Sequence, residues 1–499
     1  MCKIGIVLNN RDFEHDIYAL VKAFYPQAEI RCMEENQNPE GETLLLYVMQ
    51  SDTGFSLCLK EAGEDGYRKS AGQSNHGEEI ALISCQDIRE QRKQRKDQIK
   101  TLLYQILKEK ENRELPWGTL TGIRPAKLVM GMLEKGMKNT EIAAHMREHY
   151  LVSPKKTALS ITIANREKEI LKEINYENGY SLYVGIPFCP SICLYCSFSS
   201  NPLSRWEKRV DEYLDALTKE IREVSKMTKR KTLDTIYIGG GTPTTLNPRQ
   251  IRRLLSCIEE NFPTETVREY TVEAGRPDSI TEEKLKALKE FPVTRISVNP
   301  QTMNQSTLDL IGRKHTVEQT KEAYWLARKC GFDNINMDLI VGLPGEDKEK
   351  VKHTLDEIRL LGPDSLTVHS LAVKRAARLN MFREQYQELT FENTQEIMDM
   401  TMEYAYEMGM GPYYLYRQKN MKGNFENVGY AAVDKAGIYN ILIMEEKQPI
   451  IALGAGGSSK LVYDGGQRIE RVENVKDIKN YMERIDEMIA RKEAGIQWQ

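Results

Sequence analysis

The chain has 499 residues, of which 40% are hydrophobic and 29% charged, with a formal net charge of −3 at pH 7. A length beyond roughly 250–300 residues predicts two or three domains rather than one. The near balance of charge argues against nucleic acid as the main partner, and no run reaches the roughly 18 apolar residues of a transmembrane helix. We therefore expect a cytoplasmic protein with neither a nucleic-acid nor a membrane partner.

Residues 1–178 are predicted to form an α+β domain. A small hairpin sheet is indicated by three apolar segments bounded by turn residues: 43–49, 54–60 and 65–70. A helix is expected from about 86 to 111, where apolar residues recur at helical spacing. Another begins at Ser153-Pro154, because a capping residue there precedes a first-turn proline.

From residue 179 the pattern changes to strand, loop and helix, repeated along the chain. Six nearly continuous apolar strands are predicted: 181–186, 235–240, 269–274, 294–299, 334–342 and 365–371. Amphipathic helices are predicted between them: 204–227, 248–261, 281–290, 316–331 and 347–361. Such alternation implies a parallel sheet covered by helices, either doubly wound or barrel-like, which we assign to residues 179–380.

Residues 381–499 are predicted to form a C-terminal module that covers the substrate. It contains a helix at 393–409 and a turn-rich aromatic segment from Gly411 to Tyr430. A strand pair near 440–453 and a final helix around 475–493 complete it.

The loop after the first strand of the repeated region, within YVGIPFCPSICLYC, holds Cys189, Cys193 and Cys196 with three and then two residues between them. Four thiolates would complete a tetrahedral zinc site. Three cysteines that hold a [4Fe–4S] cluster instead leave one iron open to a substrate or cofactor. Two alternatives stay open, namely a zinc site completed by Cys257 or Cys330 and a chance grouping of thiols.

The other predicted strands also end in residues suited to ligand binding. The second runs into the sequence GGGTP at 239–243, where missing side chains let backbone groups approach a ligand such as an amino-acid head group. The third strand ends at Glu273 and the fifth carries Asp338, while the fourth leads to Gln301 and the sixth to Ala372. Because ligand sites of βα folds form at the carboxyl ends of strands, we expect these groups to hold an amine and ribose hydroxyls at one site.

The cysteine spacing, together with several other segments, resembles the oxygen-independent coproporphyrinogen III oxidase family of radical S-adenosylmethionine (radical SAM) enzymes over roughly residues 180–460, and within it the HemZ subgroup. The segments that carry the resemblance are YVGIPFCPSICLYC, IYIGGGTPTTL, RISVNPQTMNQSTLDLIGRKHT, NINMDLIVGLPGE, LGAGGSSK and PYYLYRQKNMKGNFENVGY. The resemblance implies an α/β fold, a partial (βα)6 TIM-like barrel with an N-terminal α+β domain and a C-terminal module.

The resemblance also implies a cofactor site, in which Cys189, Cys193 and Cys196 ligate a [4Fe–4S] cluster that binds S-adenosylmethionine (SAM). The residues it places around the cluster or against SAM are Tyr183, Tyr195, Phe198, Gly240, Gly241, Thr242, Glu273, Gln301, Arg313, Asp338 and Ala372. The best-studied oxidases have an additional cysteine where this chain has Phe198, and heme-chaperone relatives have phenylalanine there. That position therefore leaves the reaction open.

The activity implied by the resemblance is oxidative decarboxylation of two propionates of coproporphyrinogen III in heme biosynthesis, which gives protoporphyrinogen IX. Its partners would be the porphyrinogen, an electron donor for the cluster and an electron acceptor that the sequence does not identify. Because carboxylates bind cationic side chains, the candidate substrate contacts are Lys374, Arg375, Arg417 and Lys460. The alternatives are a heme chaperone of the same family and another porphyrin-directed radical reaction.

Overall fold

A computed structural model of the chain describes residues 2–496 apart from 36, 38–40, 52–53, 64–65, 70–87, 123, 197–200, 373–376, 382–391 and 419–424. The chain divides into two compact units. The first comprises Met1–Ile161 with Arg417–Phe425, and the second comprises Thr162–Tyr416 with Glu426–Gln499.

The first unit contains a five-stranded sheet. Its strands are Lys3–Leu8 (β1), Glu29–Glu34 (β2), Leu44–Gln50 (β3), Phe55–Gly63 (β4) and Gly66–Lys69 (β5). The strand order is β2-β1-β3-β4-β5, with β1 parallel to β2 and β3, and with antiparallel β3–β4 and β4–β5 pairs. The predicted hairpin sheet is confirmed, and β1 and β2 extend it beyond the prediction.

Five helices of the first unit are described, and the first two pack their apolar residues against this sheet. They are Glu14–Phe24 (α1), Ile88–Glu111 (α2), Pro125–Glu134 (α3), Asn139–Glu148 (α4) and Pro154–Leu171 (α5), the last of which continues into the second unit. Ile17 and Leu20 of α1 and Ile99 and Leu103 of α2 are buried in one core with Leu46 of β3. Residues three or four apart share a helix face, which is why the pattern in the sequence indicates these helices.

The second unit contains the eleven-stranded sheet that carries the repeated region. Its strands, with one separate two-stranded pair (β7 and β8), are Gly179–Ile186 (β6), Phe188–Cys189 (β7), Asn201–Pro202 (β8), Thr232–Gly240 (β9), Glu269–Glu273 (β10), Arg295–Ser297 (β11), Ile335–Val341 (β12), Ser365–Ser370 (β13), Gly411–Tyr416 (β14), Asn427–Ala431 (β15), Ile450–Leu453 (β16), Ser458–Tyr463 (β17) and Arg468–Glu473 (β18).

The strand order is β14-β15-β13-β12-β11-β10-β9-β6-β16-β17-β18. The six strands predicted from the repeat, β6 and β9–β13, lie side by side and run parallel. β16 joins β6 in parallel, whereas β15 joins β13 in antiparallel fashion. Strands from the region after residue 380 therefore extend the same sheet on both sides. Since parallel strands share their carboxyl edge, the loops that follow β6 and β9–β13 meet at one end of the sheet.

The helices of the second unit connect and cover these strands. They are Leu203–Trp206 (α6), Val210–Met227 (α7), Pro248–Asn261 (α8), Glu282–Lys289 (α9), Gln305–Leu310 (α10), Val317–Lys329 (α11), Lys348–Leu361 (α12), Arg378–Met381 (α13), Gln395–Glu407 (α14), Ile438–Glu445 (α15), Ile478–Glu483 (α16) and Ile485–Gly495 (α17). Within the described part of the chain, no helix is both long enough and apolar enough to cross a membrane.

Local sequence signals set the ends of several of these helices. Asn247 caps α8, since its side chain accepts a hydrogen bond from the Gln250 backbone N–H at 2.9 Å while Pro248 occupies the first turn. α12 ends at Gly362, whose φ of 68° is favourable only without a side chain. These signals explain why the predicted helices agree closely with the observed ones.

The predicted strand pair near 440–453 is wrong in its first half. Residues 438–445 form helix α15, and only 450–453 form a strand. The run IYNILIME is short, apolar and rich in β-branched residues, so its periodicity does not distinguish a strand from a buried helix. Packing decided the outcome, because Ile441 and Leu442 are buried in a cluster with Tyr413 and Tyr414.

Candidate active site

The cysteine loop follows the carboxyl end of β6, the first strand of the parallel sheet. Cys189 ends β7, and Cys193 and Cys196 lie in a turn in which the Cys196 N–H donates to the Cys193 carbonyl at 3.2 Å. The Leu194 N–H donates to the Ile311 carbonyl at 2.9 Å and so holds the turn against the loop after α10. All three cysteines are free thiols on one loop at the carboxyl edge of the sheet.

The glycine-rich turn after β9 packs directly on this loop. The Gly241 N–H donates to the Ile186 carbonyl at 2.7 Å, and the Thr242 N–H donates to the Phe188 carbonyl at 2.7 Å. A Cβ on Gly241 would lie 2.5 Å from the Phe188 carbonyl oxygen, which no side chain tolerates. The Thr242 hydroxyl donates to the Cys189 sulfur at 3.7 Å. Backbone contact between the two loops is therefore the reason for the glycine at this position.

Glu273 ends β10 beside the glycine turn. Its carboxylate accepts a hydrogen bond from the Tyr237 hydroxyl, and the Cδ atom lies 2.9 Å from where a Cβ on Gly239 would be. Burial raises the pKa of Glu273 to about 7, with a further contribution from the nearby negative charge of Asp338. An ammonium group bound here would favour the ionised form of Glu273, which could then accept its hydrogen bonds.

Three tyrosine rings line the sheet next to Glu273. Tyr183 of β6 and Tyr237 of β9 are stacked with centroids 6.2 Å apart, and Tyr439 of α15 stacks on Tyr237 at 4.5 Å. Tyr439 was not among the predicted site residues. The only sequence signal for it is its position in an apolar run, which does not reveal that α15 returns to this sheet.

Gln301 and Asp338 are adjacent through the backbone. The Gln301 N–H donates to the Asp338 carbonyl at 2.9 Å, and the Gln301 carbonyl accepts from the Ile340 N–H at 2.9 Å. Gln301 has a φ of 68°, a conformation that costs energy for a residue with a side chain. Strain at this strand end fixes the direction in which its side chain leaves the sheet.

Several buried polar atoms near Gln301 lack a hydrogen-bond partner among the described residues: Ser297 Oγ, Asn299 Oδ1 and Gln301 Oε1. Buried polar atoms are nearly always hydrogen-bonded in folded proteins, so such a set fits a polar ligand that supplies the missing groups. Ribose hydroxyls and an amino acid's ammonium group have that chemistry.

Asp338 is held ionised by its neighbours. Burial alone would raise its pKa, but hydrogen bonding and charge from His369, together with the Asn336 side-chain amide that donates at 2.7 Å, hold the pKa below its usual range. His369 Nε2 lies 3.8 Å from Asp338 Oδ2, and its Nδ1 is 3.3 Å from the Tyr416 hydroxyl. A carboxylate kept charged in this way suits hydroxyl donors.

Arg313 and Arg276 are two buried arginines against the cysteine loop. Arg313 donates to the Tyr195 hydroxyl at 3.1 Å and to the Asn299 carbonyl at 2.6 Å. Arg276 donates to the Cys193 sulfur at 3.7 Å and forms an ion pair with Asp278. Arg276 and Asp278 were missed in the sequence, although their position just after the strand that ends in Glu273 is a signal of the same kind as the others.

Comparison with known proteins gives the family. The Radical SAM superfamily model matches residues 183–358. The chain is 41% identical over 398 residues to the oxygen-independent coproporphyrinogen-III oxidase-like protein HemZ of Bacillus subtilis, covering 79% of this chain and 79% of that protein. The chain belongs to the HemZ family of radical SAM proteins.

Two further relatives bear on its activity. The heme chaperone HemW of Bacillus subtilis is 39% identical over 195 residues, which is 39% of this chain and 51% of that protein. The solved structure of the radical SAM enzyme coproporphyrinogen III oxidase (HemN) of Escherichia coli has a TM-score of 0.51 at 25% identity, over 64% of this chain and 73% of that one. The predicted TIM-like radical SAM fold is thereby confirmed.

Radical SAM proteins of this family use a [4Fe–4S] cluster and SAM, and the residues at the barrel mouth fit both. Three cysteines share one loop, and the sulfurs of Cys189 and Cys193 receive hydrogen bonds from Thr242 and Arg276. Buried polar atoms without a partner among the described residues follow β11 of the same sheet. Burial raises the pKa of the Cys189 thiol to about 11, so it stays protonated until a metal displaces the proton. Among the described residues, no three Cys, His, Asp or Glu side chains lie close enough together to hold a metal ion as they stand.

The cysteines proposed to complete a zinc site lie elsewhere. Cys257 is buried in α8, with its sulfur 3.9 Å from the Thr218 carbonyl of α7. Cys330 follows the last turn of α11, and the chain then enters β12 at its amino end. Since the cysteine loop lies at the carboxyl edge, neither cysteine is placed beside it.

Of the four candidate substrate contacts, the structure describes Lys460 and Arg417. Lys460 lies on β17 and forms an ion pair with Glu446 at 2.9 Å. Its register partner on β16 is Ile450, which lies opposite Ser181 near the start of β6. Lys460 therefore lies toward the amino edge of the sheet. Arg417 belongs to the first unit, where it donates to the Leu120 carbonyl at 2.6 Å. Ala372 follows β13, whereas Phe198, Lys374 and Arg375 lie outside the described residues.

Proposed function

We propose that this protein catalyses the oxygen-independent oxidative decarboxylation of coproporphyrinogen III to protoporphyrinogen IX. The observation that carries the proposal is the 41% identity to the oxidase-like protein HemZ over 79% of both chains. The arrangement of the barrel mouth supports it, because cysteines, a glycine turn and buried polar atoms share one edge of the sheet.

The bound cofactors would supply one electron and a 5′-deoxyadenosyl radical that takes a hydrogen atom from the β-carbon of a propionate. The resulting propionate radical would release carbon dioxide and pass one electron to an acceptor. A vinyl group would remain. Two propionates react in this way, so the substrate has to present each of them to the same site in turn.

The chain's own residues are assigned separate roles in this proposal. Cys189, Cys193 and Cys196 ligate the cluster, while the backbone around Gly240 and Gly241 approaches the methionine part of SAM. Glu273 accepts a hydrogen bond from its ammonium group. Asp338 and Gln301 accept from ribose hydroxyls, since the Asp338 carboxyl is held ionised and the Gln301 side-chain oxygen is buried without a partner among the described residues. The remaining predicted contacts are Tyr183, Tyr195, Phe198, Thr242, Arg313 and Ala372.

A turnover assay tests the proposal. The reconstituted protein is incubated without oxygen with SAM, a reductant, an electron acceptor and coproporphyrinogen III, and carbon dioxide and the vinyl product are measured by mass spectrometry. We expect loss of two carbon dioxide molecules per substrate. Tight heme binding without any product would overturn the proposal.

A heme chaperone is the second candidate, and the similarity to HemW favours it. That similarity covers only 195 residues, which is 39% of this chain and 51% of the chaperone. The same experiment distinguishes the two, because a chaperone binds heme and transfers it while SAM-dependent carbon dioxide release is absent.

A further inference from the structure

Arg276 makes a contact for which the radical SAM chemistry itself gives no reason. It lies in the loop after β10, is only 4% exposed, and its Nη1 donates to the Cys193 sulfur at 3.7 Å. The same nitrogen donates to the Ser191 hydroxyl at 3.1 Å and the Ser191 carbonyl at 3.3 Å. A buried cation is thus attached to the cysteine loop both at a sulfur and at the backbone.

Asp278 fixes the plane of this guanidinium group. Arg276 Nε donates to Asp278 Oδ1 at 2.9 Å and Nη2 donates to Oδ2 at 2.6 Å, which is the bidentate arrangement that Arg and carboxylate favour. Two guanidinium N–H groups bind the carboxylate, so the remaining N–H donors of the planar group point toward the cysteine loop. The arginine therefore has one strongly preferred orientation, with Nη1 toward Cys193.

Arg313 provides a useful contrast in the same region. It is equally buried, but its contacts are the Tyr195 hydroxyl and the carbonyls of Gly275 and Asn299. Those contacts brace the loop without placing an N–H against a sulfur. The two arginines have similar burial and distinct targets.

We propose that Arg276 raises the reduction potential of the cluster by donating to the Cys193 sulfur, and that Asp278 holds it in position to do so. This inference rests on the ligation by Cys193 proposed above. Hydrogen bonds to cluster sulfurs, local charge and solvent exposure set the potential of an iron–sulfur cluster. Reduction adds negative charge, which a buried cation and an N–H donor at the sulfur stabilise, so their loss favours the oxidised form.

The test is a redox titration of the reconstituted full chain, monitored by the electron paramagnetic resonance signal of the reduced cluster. Arg276→Gln is expected to keep its iron while the ratio of reduced to oxidised cluster at a fixed potential falls about tenfold, which corresponds to a potential lower by about 59 mV for a one-electron couple. Arg276→Lys retains the positive charge but not the planar set of guanidinium N–H donors. Its reduction potential should lie between those of Arg276→Gln and wild type. Asp278→Glu keeps the carboxylate charge but displaces the clamp, so it should shift the potential less, in the same direction.

Arg328→Gln is the matched control, because Arg328 forms a partly buried ion pair with Asp364 at 2.7 Å on α11 and contacts no cysteine of the loop among the described residues. Its iron content and potential should equal those of wild type. A wild-type potential in iron-loaded Arg276→Gln would overturn the proposal, as would an equal shift in Arg328→Gln. If Arg276→Gln fails to hold iron, an unshifted potential in Asp278→Glu overturns the proposal instead.

Cys193→Ala distinguishes failure of this inference from failure of the proposed cluster ligation by Cys193. Full iron content in that variant means that the proposed ligation is wrong, and with it the role of Arg276. Loss of iron in Cys193→Ala with an unchanged potential in Arg276→Gln means that the ligation holds and the effect of Arg276 on the potential does not.

Discussion

At the scale of single residues, the barrel mouth opposes the ionisation of Glu273. The pKa of this carboxyl is about 7 in the folded protein, compared with an ordinary value of 4.5 that applies to the unfolded chain. Between pH 4.5 and about 7 the group is therefore protonated in the folded chain and ionised in the unfolded chain. Between those two pH values the folded state therefore loses stability as the pH rises, and above about 7 the loss is complete. This carboxyl destabilises the fold in order to be available as an acceptor.

Glu273→Gln removes that effect and keeps a hydrogen-bond acceptor for Tyr237. The melting temperature of the variant should rise relative to wild type as the pH is increased from 5 to 7.5, with no SAM present. The check is a series of thermal unfolding curves of both proteins across this range. A difference that stays constant with pH would contradict the raised pKa.

Cys193 and Cys257 are both buried and differ in their location. Cys193→Ala should abolish the brown chromophore and the reductive cleavage of SAM, because two cysteines do not retain the cluster. Cys257→Ala should keep both, since its sulfur lies between α7 and α8. Iron analysis, absorption spectra and quantification of 5′-deoxyadenosine provide the measurements, and undiminished cleavage in Cys193→Ala would count against the ligand assignment.

At the scale of elements, a fully buried ion pair joins the last helix to the barrel. Lys492 of α17 donates to Glu220 of α7 at 2.7 Å. The same carboxylate accepts from the Tyr481 hydroxyl at 2.6 Å and from the Gly454 N–H at 2.9 Å. Through Gly454, which packs against the Gly185 carbonyl of β6, the pair supports the strand that leads to the cysteine loop.

Lys492→Met leaves the Glu220 carboxylate buried without its cation and should cost about 3–5 kcal/mol of unfolding free energy. The double variant Lys492→Met/Glu220→Gln should recover part of this loss, because the uncompensated charge is gone. Urea unfolding monitored by circular dichroism measures both.

The control for this pair comes from the same two helices. Lys219 of α7 and Asp486 of α17 form an exposed pair at 2.6 Å, so Lys219→Met should cost only about 0–1 kcal/mol. Equal losses in Lys219→Met and Lys492→Met would show that burial is not what makes the inner pair important.

At the scale of the whole molecule, the described chain has a separate hydrophobic core in its first unit, built on β1–β4, α1 and α2. The proposed SAM contacts within the described residues all lie in the second unit. A ligand that binds only the folded form stabilises it by about 2.7 kcal/mol at 100 times its dissociation constant. That stabilisation should appear in the unit that binds.

Hydrogen exchange with and without SAM tests this expectation on the cluster-loaded chain. Exchange should slow in peptides that cover 183–189, 239–242 and 299–301, because their amides approach the ligand or follow residues that do. Peptides from β3 in the first unit should exchange equally fast in both conditions. Uniform protection of both units would contradict the assignment of the SAM site.

How much of this was predictable differs with scale. Glu273, which ends its strand, was predicted as a site residue because a βα repeat places consecutive strand ends at one edge. Arg276 was missed because its contact with Cys193 joins positions 83 residues apart. Among the elements, the parallel strands and their helices were predicted from caps and periodicity, whereas α15 was not.

The sequence by itself determined the family, the cofactors and the parallel core, since cysteine spacing, glycine turns and hydrophobic period are local properties of the chain. Only the tertiary structure decided that β14–β18 extend the barrel sheet, that Tyr439 stacks on Tyr237, and that Lys460 lies toward the amino edge. Those outcomes depend on which surfaces pack together. Contacts between residues far apart in the sequence are set by the burial of whole helices and strands, and not by the residues adjacent in the chain.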